Sequence, residues 1–195
     1  MTEVRLATPA DLPAILAISN WAAAHTAANF AVEPEPLAQW EGDYTSTNAM
    51  YPWLVAVAVA VAVDDDDGDG GTVLGFAKAG RWKGRCAYAY SVEVTVYVHP
   101  DHHGRGVGRR LYERLFAILK QQGYHAVFGG ITQPNEASVR LHESFGMRRV
   151  ALFERVGWKF GRWHDVAYWQ GTLREAEEPP TRVLSVAEAT AQLGS

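Results

Sequence analysis

A chain of 195 residues, 48% hydrophobic and 21% charged, has the size and balance of one globular domain and excludes a fibrous or disordered polymer. The formal net charge of -4 supplies no global basic face for a phosphate backbone, so nucleic acid is not an expected partner. The single cysteine, Cys86, cannot form an internal disulfide, and no Gly-rich elbow or neighbouring base marks it as a nucleophile.

The first thirteen residues mix Glu3, Arg5 and Asp11 with aliphatic residues and lack the apolar core of a signal peptide, which predicts a cytoplasmic protein. Residues 1–7 alternate as a strand. Thr8 then reads as a helix N-cap with Pro9 in the first turn, and a helix is expected to about residue 28. Pro34 and Pro36 interrupt the chain before a second helix over 36–47, with Leu37, Trp40 and Tyr44 at spacings of three and four. Residues 53–63 are almost wholly apolar, but a membrane-spanning helix needs roughly 18–20 such residues. Their Val/Ala alternation predicts a buried strand instead.

An acidic, glycine-rich run over 64–71 separates this strand from the next, 72–80, as the tip of a hairpin. The run lacks the alternating ligands and terminal Glu of an EF-hand, so a solvated tip is preferred to a calcium loop. A third strand spans 88–98, a helix 106–122 ends at Gly123 as its C-cap, and a short strand covers 125–131. A helix over 135–145 precedes a closing strand pair, 148–156 and 165–173. The expected class is α/β, a mixed and mostly antiparallel central sheet flanked by helices, formed by residues 1–174. Residues 175–195 read as a polar, Pro-broken tail outside the fold, in which 185–192 could form a helical turn or two.

The chemistry-bearing segment follows the third strand, as His103-Gly104-Arg105-Gly106-Val107-Gly108-Arg109. Its three glycines permit positive φ and close backbone approach, so that successive N–H groups can face one concavity at a helix N-terminus. Between His99 and His125 five cations stand against two carboxylates, a local +3 in an acidic chain. A ligand with several phosphates suits that excess, and a plain structural turn is the alternative. The spacing is neither a P-loop, because no Lys-Ser/Thr follows, nor a Rossmann turn, because the glycines alternate as G-x-G-x-G. His99, His102, His103 and His125 lack matching acidic or cysteine partners, so no metal site is expected.

The same turn resembles the cofactor motif Q/R-x-x-G-x-G/A of the GCN5-related N-acetyltransferases, with His103 in the first position. Further segments are similar to the phosphinothricin and methionine sulfoximine N-acetyltransferase branch of that superfamily. They are Asn29-Phe30, Tyr51-Pro52-Trp53-Leu54-Val55-Ala56, Ala87-Tyr88, Thr95-Val96-Tyr97-Val98, Pro134-Asn135, Ser138-Val139-Arg140-Leu141-His142-Glu143 and Lys159 through Val166. The likeness extends over roughly residues 3–173.

The resemblance implies acetyl-CoA as co-substrate, with Val96, Tyr97 and Val98 offering backbone groups to the pantetheine arm. Gly104, Arg105, Gly106, Val107, Gly108 and Arg109, together with the His103 backbone, would wrap the pyrophosphate, and Asn135 would hold the cysteamine end. It places Glu93 as general base, and the acceptor near Phe30, Cys86, Ala87, Tyr88, Glu93, Val94 and Thr95. Arg85 or Lys83 would meet polar groups of the acceptor.

An amine attacks a thioester only when neutral, and a free α-amine is largely protonated below a pKa of about 8. A partly buried Glu93 could take that proton, although the residue alone reads equally as a solvated strand carboxylate. His142 is the second candidate for proton traffic, or else a packed histidine. A backbone N–H near Val98 would hold the oxyanion. The expected activity is acetylation of the α-amine of a small amino-acid-like substrate. The alternatives are acetylation of a polyamine, aminoglycoside or protein N-terminus, or a non-catalytic CoA-binding module. Trp158, Trp163 and Trp169 read as core or dimer contacts, and with the resemblance they predict a homodimer.

Overall fold

The computed structural model describes residues 2–59, 71–175 and 178–194. Strand β1 (Thr2–Leu6) leads through a 3-10 turn at Pro9–Asp11 into helix α1 (Leu12–His25), and α2 (Leu37–Thr47) follows Pro36. Next come β2 (Trp53–Ala58), β3 (Val73–Arg81), a 3-10 turn at Cys86–Tyr88, and β4 (Ser91–Val98). Helix α3 (Val107–Gln122), β5 (Ala126–Thr132) and α4 (Glu136–Ser144) precede the hairpin of β6 (Arg148–Lys159) and β7 (Arg162–Thr172), and α5 (Val186–Leu193) ends the chain.

The described strands form one sheet in the order β1-β2-β3-β4-β5-β7-β6, antiparallel throughout except where β4 meets β5. This is the mixed, mostly antiparallel α/β sheet that the sequence predicts. Strand alternation divides its core in two. On one face α3 and α5 cover Leu54, Ala77, Val92, Val94 and Val127, with Leu111, Leu115 and Ile118 of α3 fully buried. On the other, α1 and α2 cover Trp53, Val55 and Phe76, and Trp40 meets Trp53 and Phe76 edge to face.

Several boundaries differ from the sequence reading for local reasons. Helix α1 stops at His25, because Thr26 is extended. Strand β2 is described to Ala58, and residues 60–70, which hold the end of the predicted strand and most of the acidic run, lie outside the described residues. Strand β4 begins at Ser91, not 88: β3 pairs with it only as far as Val92, and the preceding residues close a 3-10 turn through Ala89 N–H to Cys86 O. The closing hairpin is longer than predicted, since Phe160 (φ 51°) and Gly161 (φ 72°) complete a two-residue turn between Lys159 and Arg162.

The C-terminal segment corrects the expectation of a tail outside the fold. Its polar, Pro-rich start conceals an amphipathic helix capped by Ser185, with Val186 and Ala189 buried against α3. Gln122 pins it: its Nε2 donates to Leu184 O (2.9 Å) and to Met50 O (2.8 Å), while Gln122 O accepts from Leu184 N–H. Ala189→Asp would place a charge in this closed interface and should lower unfolding free energy by about 2–4 kcal/mol in denaturant titration.

Candidate active site

Strands β4 and β5 pair over only three residues, Ser91↔Ala126, Val92↔Val127 and Glu93↔Phe128. Beyond Glu93, β4 continues on β3 to Val98, while β5 continues on β7 to Thr132. A wedge therefore opens in the middle of the sheet. His99 N–H bonds Leu74 O on β3 (2.8 Å), so ladder alternation turns the backbone groups of Val98 and Val96 the other way, toward the wedge. The Val98 carbonyl there accepts from His103 Nε2 at 2.9 Å. His103 thus contributes its side chain to the end of β4.

At the wide end of the wedge the Gly-rich turn runs into α3. Gly104 (φ 73°) and Gly106 (φ 77°) are left-handed, and a Cβ built on either meets no atom within 4 Å, which leaves the concavity open above the helix N-terminus. Gly108 serves differently: its Cβ would lie 3.4 Å from Leu141 and 3.7 Å from Val98, so it permits close packing of α3 on α4 and β4. Val107 is buried beneath the turn, and Arg105 is exposed at it. Arg109 pairs with Glu113 at 2.9 Å on the helix surface, and Arg110 reaches Thr2 O instead of the turn. Asn135 caps α4, its Oδ1 accepting from Ser138 N–H at 3.1 Å. The N–H groups that open α3, its helix dipole and an exposed cation fit the pyrophosphate of a coenzyme A.

The opposite side of β4 carries the titratable group. Glu93, Thr95 and Tyr97 share the α1 face with Lys78, which stands opposite Thr95, and with Gly80, which stands opposite Glu93. A Cβ on Gly80 would meet nothing within 4 Å, so a hollow lies beside the carboxylate. Burial raises the Glu93 pKa, against the opposing effects of a hydrogen bond donated by Tyr168 and the charge of Lys83. Trp82 walls this corner, stacked on Phe128 (4.1 Å, 9°) and edge-on to Tyr168. The Lys83 ammonium sits 4.6 Å over the Trp82 ring.

Farther along the same face a cleft of about 230 Å³ is lined by Ser19, Asn29, Phe30, Lys78, Thr95 and Tyr97, among others. Tyr97 closes one wall by donating to Ala28 O (3.0 Å). The β6–β7 hairpin forms the roof: Gly157 comes so near Phe30 that a Cβ would stand 2.5 Å from the ring. Lys159, only 4% exposed, donates to both Ala23 O and Asn29 O and ties the hairpin tip to the segment after α1.

The structure brings Glu93, Thr95 and Phe30 to one face. The others separate. Arg85, Cys86, Ala87 and Tyr88 lie on the exposed connection between β3 and β4, and Lys83 is the cation whose charge reaches Glu93. The Val94 side chain, expected near the acceptor, points into the core on the α3 face, because alternation reverses it relative to Glu93 and Thr95.

His142, expected to share proton traffic with Glu93, also lies across the sheet, packed on Gly129 of β5 and 3% exposed. Its Nδ1 donates to Ser138 O (2.8 Å) and its Nε2 accepts from the Tyr112 hydroxyl (3.0 Å), so both ring nitrogens are engaged. Burial lowers its pKa and favours the neutral ring. This geometry anchors α4 to the sheet.

Sequence reading missed Tyr168, Trp82, Lys78 and the roof contact of Lys159. A lone lysine inside the apolar run Phe76-Ala77-Lys78-Ala79 was a legible signal. The partnership of Tyr168 with Glu93 depends on pairing across β5 and had none.

An open sheet with a wedge beside a Gly-rich helix start, and a half-buried carboxylate across β4, suits acyl transfer. The description "Acetyltransferase (GNAT) family" matches residues 20–147, and the chain belongs to that family and is an N-acetyltransferase. It is 38% identical over 186 residues to a phosphinothricin N-acetyltransferase of Streptomyces viridochromogenes, covering 95% of each chain. It is 37% identical to an L-methionine sulfoximine/L-methionine sulfone acetyltransferase of Salmonella typhimurium, covering 90% of this chain and 97% of that one. A phosphinothricin acetyltransferase from Sinorhizobium meliloti, solved in complex with acetyl-CoA, superposes with a TM-score of 0.84 at 28% identity, over 93% of this chain and 95% of that one.

Among the described residues no group of three or more His, Cys, Asp or Glu is arranged to hold a metal ion, and no helix is long and apolar enough to cross a membrane. Lys159→Met would leave the Ala23 and Asn29 carbonyls without their donor and should cost about 1–3 kcal/mol of stability, read by denaturant unfolding.

Proposed function

We propose that this enzyme transfers the acetyl group of acetyl-CoA to the α-amine of a small amino-acid-like acceptor of the phosphinothricin, methionine sulfoximine or methionine sulfone type. The observation that carries this reading is the half-buried Glu93 carboxylate beside the Gly80 hollow, at the point where β4 leaves β5. The names of the relatives support the acceptor class. The size of the adjoining cleft, about 230 Å³, suits a small acceptor better than a protein N-terminus or an aminoglycoside.

In this reading the pyrophosphate rests on the turn from His103 to Arg109 and the pantetheine arm lies in the wedge, against the backbone of Val96, Tyr97 and Val98. Asn135 keeps its Nδ2 for the cysteamine end, since its Oδ1 caps α4. The acceptor enters from the α1 face between Phe30 and Thr95, and Lys83, whose charge reaches Glu93, approaches its polar groups. Glu93 takes one proton from the ammonium, directly or through a water. The neutral amine then attacks the thioester carbon, forming the C–N bond while the carbonyl becomes an oxyanion held by a backbone N–H of Val96 or Val98. Collapse breaks the C–S bond, and coenzyme A leaves as a thiolate that takes up the second proton from the new amide nitrogen, directly or through water, while Glu93 returns its own proton to solvent. His142 acts as a positioning residue that fixes α4, and with it Asn135, against β5.

The exposed apolar edge of the sheet supports the further reading of a homodimer. Strand β6 is the terminal strand, and Phe153, Val156, Trp158 and the turn residue Phe160 are 49–57% exposed along it and its tip. Edge strands of this kind seek cover.

Glu93→Gln should lower kcat about 10²- to 10⁴-fold with the acetyl-CoA Kd retained in calorimetry. The base works only when ionised, and Tyr168 holds the Glu93 pKa down. Tyr168→Phe should therefore move the acid limb of the kcat/KM profile to higher pH, and a profile that stays in place counts against Glu93 as the base. Trp158→Glu should convert a dimer to a monomer in sedimentation equilibrium.

A further inference from the structure

Lys78 is a cation with an unusual setting. It sits in the middle of β3, where its ammonium lies 4.1 Å from the ring centre of Trp53 and 4.7 Å from that of Trp40. Among the described residues it makes no hydrogen bond and no ion pair. The nearest carboxylates, Asp43 and Glu35, reach it only through their field. Both carboxylates line the same cleft as Lys78: Glu35 is engaged there, accepting from Gln39 Nε2 and Trp40 Nε1, each at 3.2 Å, and Asp43 is exposed, so solvent screens its charge. Ring faces attract a cation but accept none of its N–H bonds in the usual sense, so three strong donors remain for whatever enters the cleft.

The cleft is the one that Lys78 and Thr95 line together, and Thr95 follows Glu93 by two residues on the same face of β4. Two residues of strand span about 7 Å. An acceptor with its amine at Glu93, over the Gly80 hollow, would extend its side chain along this face toward the ammonium.

We infer that Lys78 binds a terminal oxyanion on the acceptor's side chain, a phosphinate or carboxylate, and so selects such acceptors over those ending in a neutral polar group. The inference rests on the acceptor class proposed above. It makes Lys78 a specificity-determining residue, separate from Glu93 and from the cations of the β3–β4 connection. The tryptophan pair holds the ammonium in place and excludes water from one side, which strengthens its attraction for an anion arriving from the other.

The test compares phosphinothricin, whose side chain ends in an anionic phosphinate, with methionine sulfone, whose side chain ends in an uncharged sulfone, on the full-length enzyme. The readout is the ratio of their kcat/KM values. Lys78→Met should lower the phosphinothricin-to-sulfone ratio at least tenfold, chiefly through KM for phosphinothricin, and Lys78→Arg should restore most of it. Lys78→Gln, which keeps a polar end, gives the same comparison if the Met variant fails to fold, and acetyl-CoA calorimetry checks folding of each variant. A ratio within twofold of the unaltered enzyme, or an unaltered enzyme that takes the sulfone but not the phosphinate, overturns the inference. Acetyl-CoA binding with neither acceptor acetylated removes the acceptor class itself, and this inference falls with it.

Discussion

Three residues of parallel pairing between β4 and β5 are the constraint on which the rest of the site depends. Parallel neighbours cannot be joined by a tight turn, so the chain must cross over, and it does so through the Gly-rich turn and α3. The crossover places that turn beyond the end of β4. Because pairing then stops at Glu93, the same geometry creates both an open concavity at the α3 N-terminus and a wedge leading back from it to a carboxylate. Had the two strands stayed paired to Val98, the backbone groups of Val96 and Val98 would be spent on β5.

The period of two in β4 separates the chemistry into layers. Val92, Val94, Val96 and Val98 face α3 and give the strand its anchor in the core, while on the other face Glu93 adjoins the Gly80 hollow and Thr95 and Tyr97 line the cleft. The backbone of Val96 and Val98 faces the open wedge. One strand thereby holds three functions, two carried by its side chains and one by its backbone. The same rule explains why His142, near Glu93 in a projection of the sheet, is on its other side with both ring nitrogens satisfied.

Much of this was legible in the sequence, because the decisive signals are local. The alternation of β4, the G-x-G-x-G run and its basic helix, and Gly123 as a stop are all read within a few residues. What was hidden depends on partners distant in the chain. Tyr168 meets Glu93 only because β7 lies beside β5, and α5 docks because Gln122 and Ala49 offer it hydrogen bonds that composition does not reveal. The polar stretch before α5 disguised it as a tail. Lys78 is intermediate: its place in an apolar strand was visible, but the tryptophan on each side comes from α2 and β2.

The bonds from Lys159 to Ala23 and Asn29 bridge 136 and 130 positions of sequence. They are among the most non-local contacts of the protein, and non-local contacts form late because they close long loops. During synthesis the co-substrate turn is complete well before the hairpin emerges, whereas the roof over Phe30 must wait for it. The two halves of the active site therefore have different birth orders: a nascent chain ending before Lys159 carries the cradle for the acetyl donor and half a cleft for the acceptor.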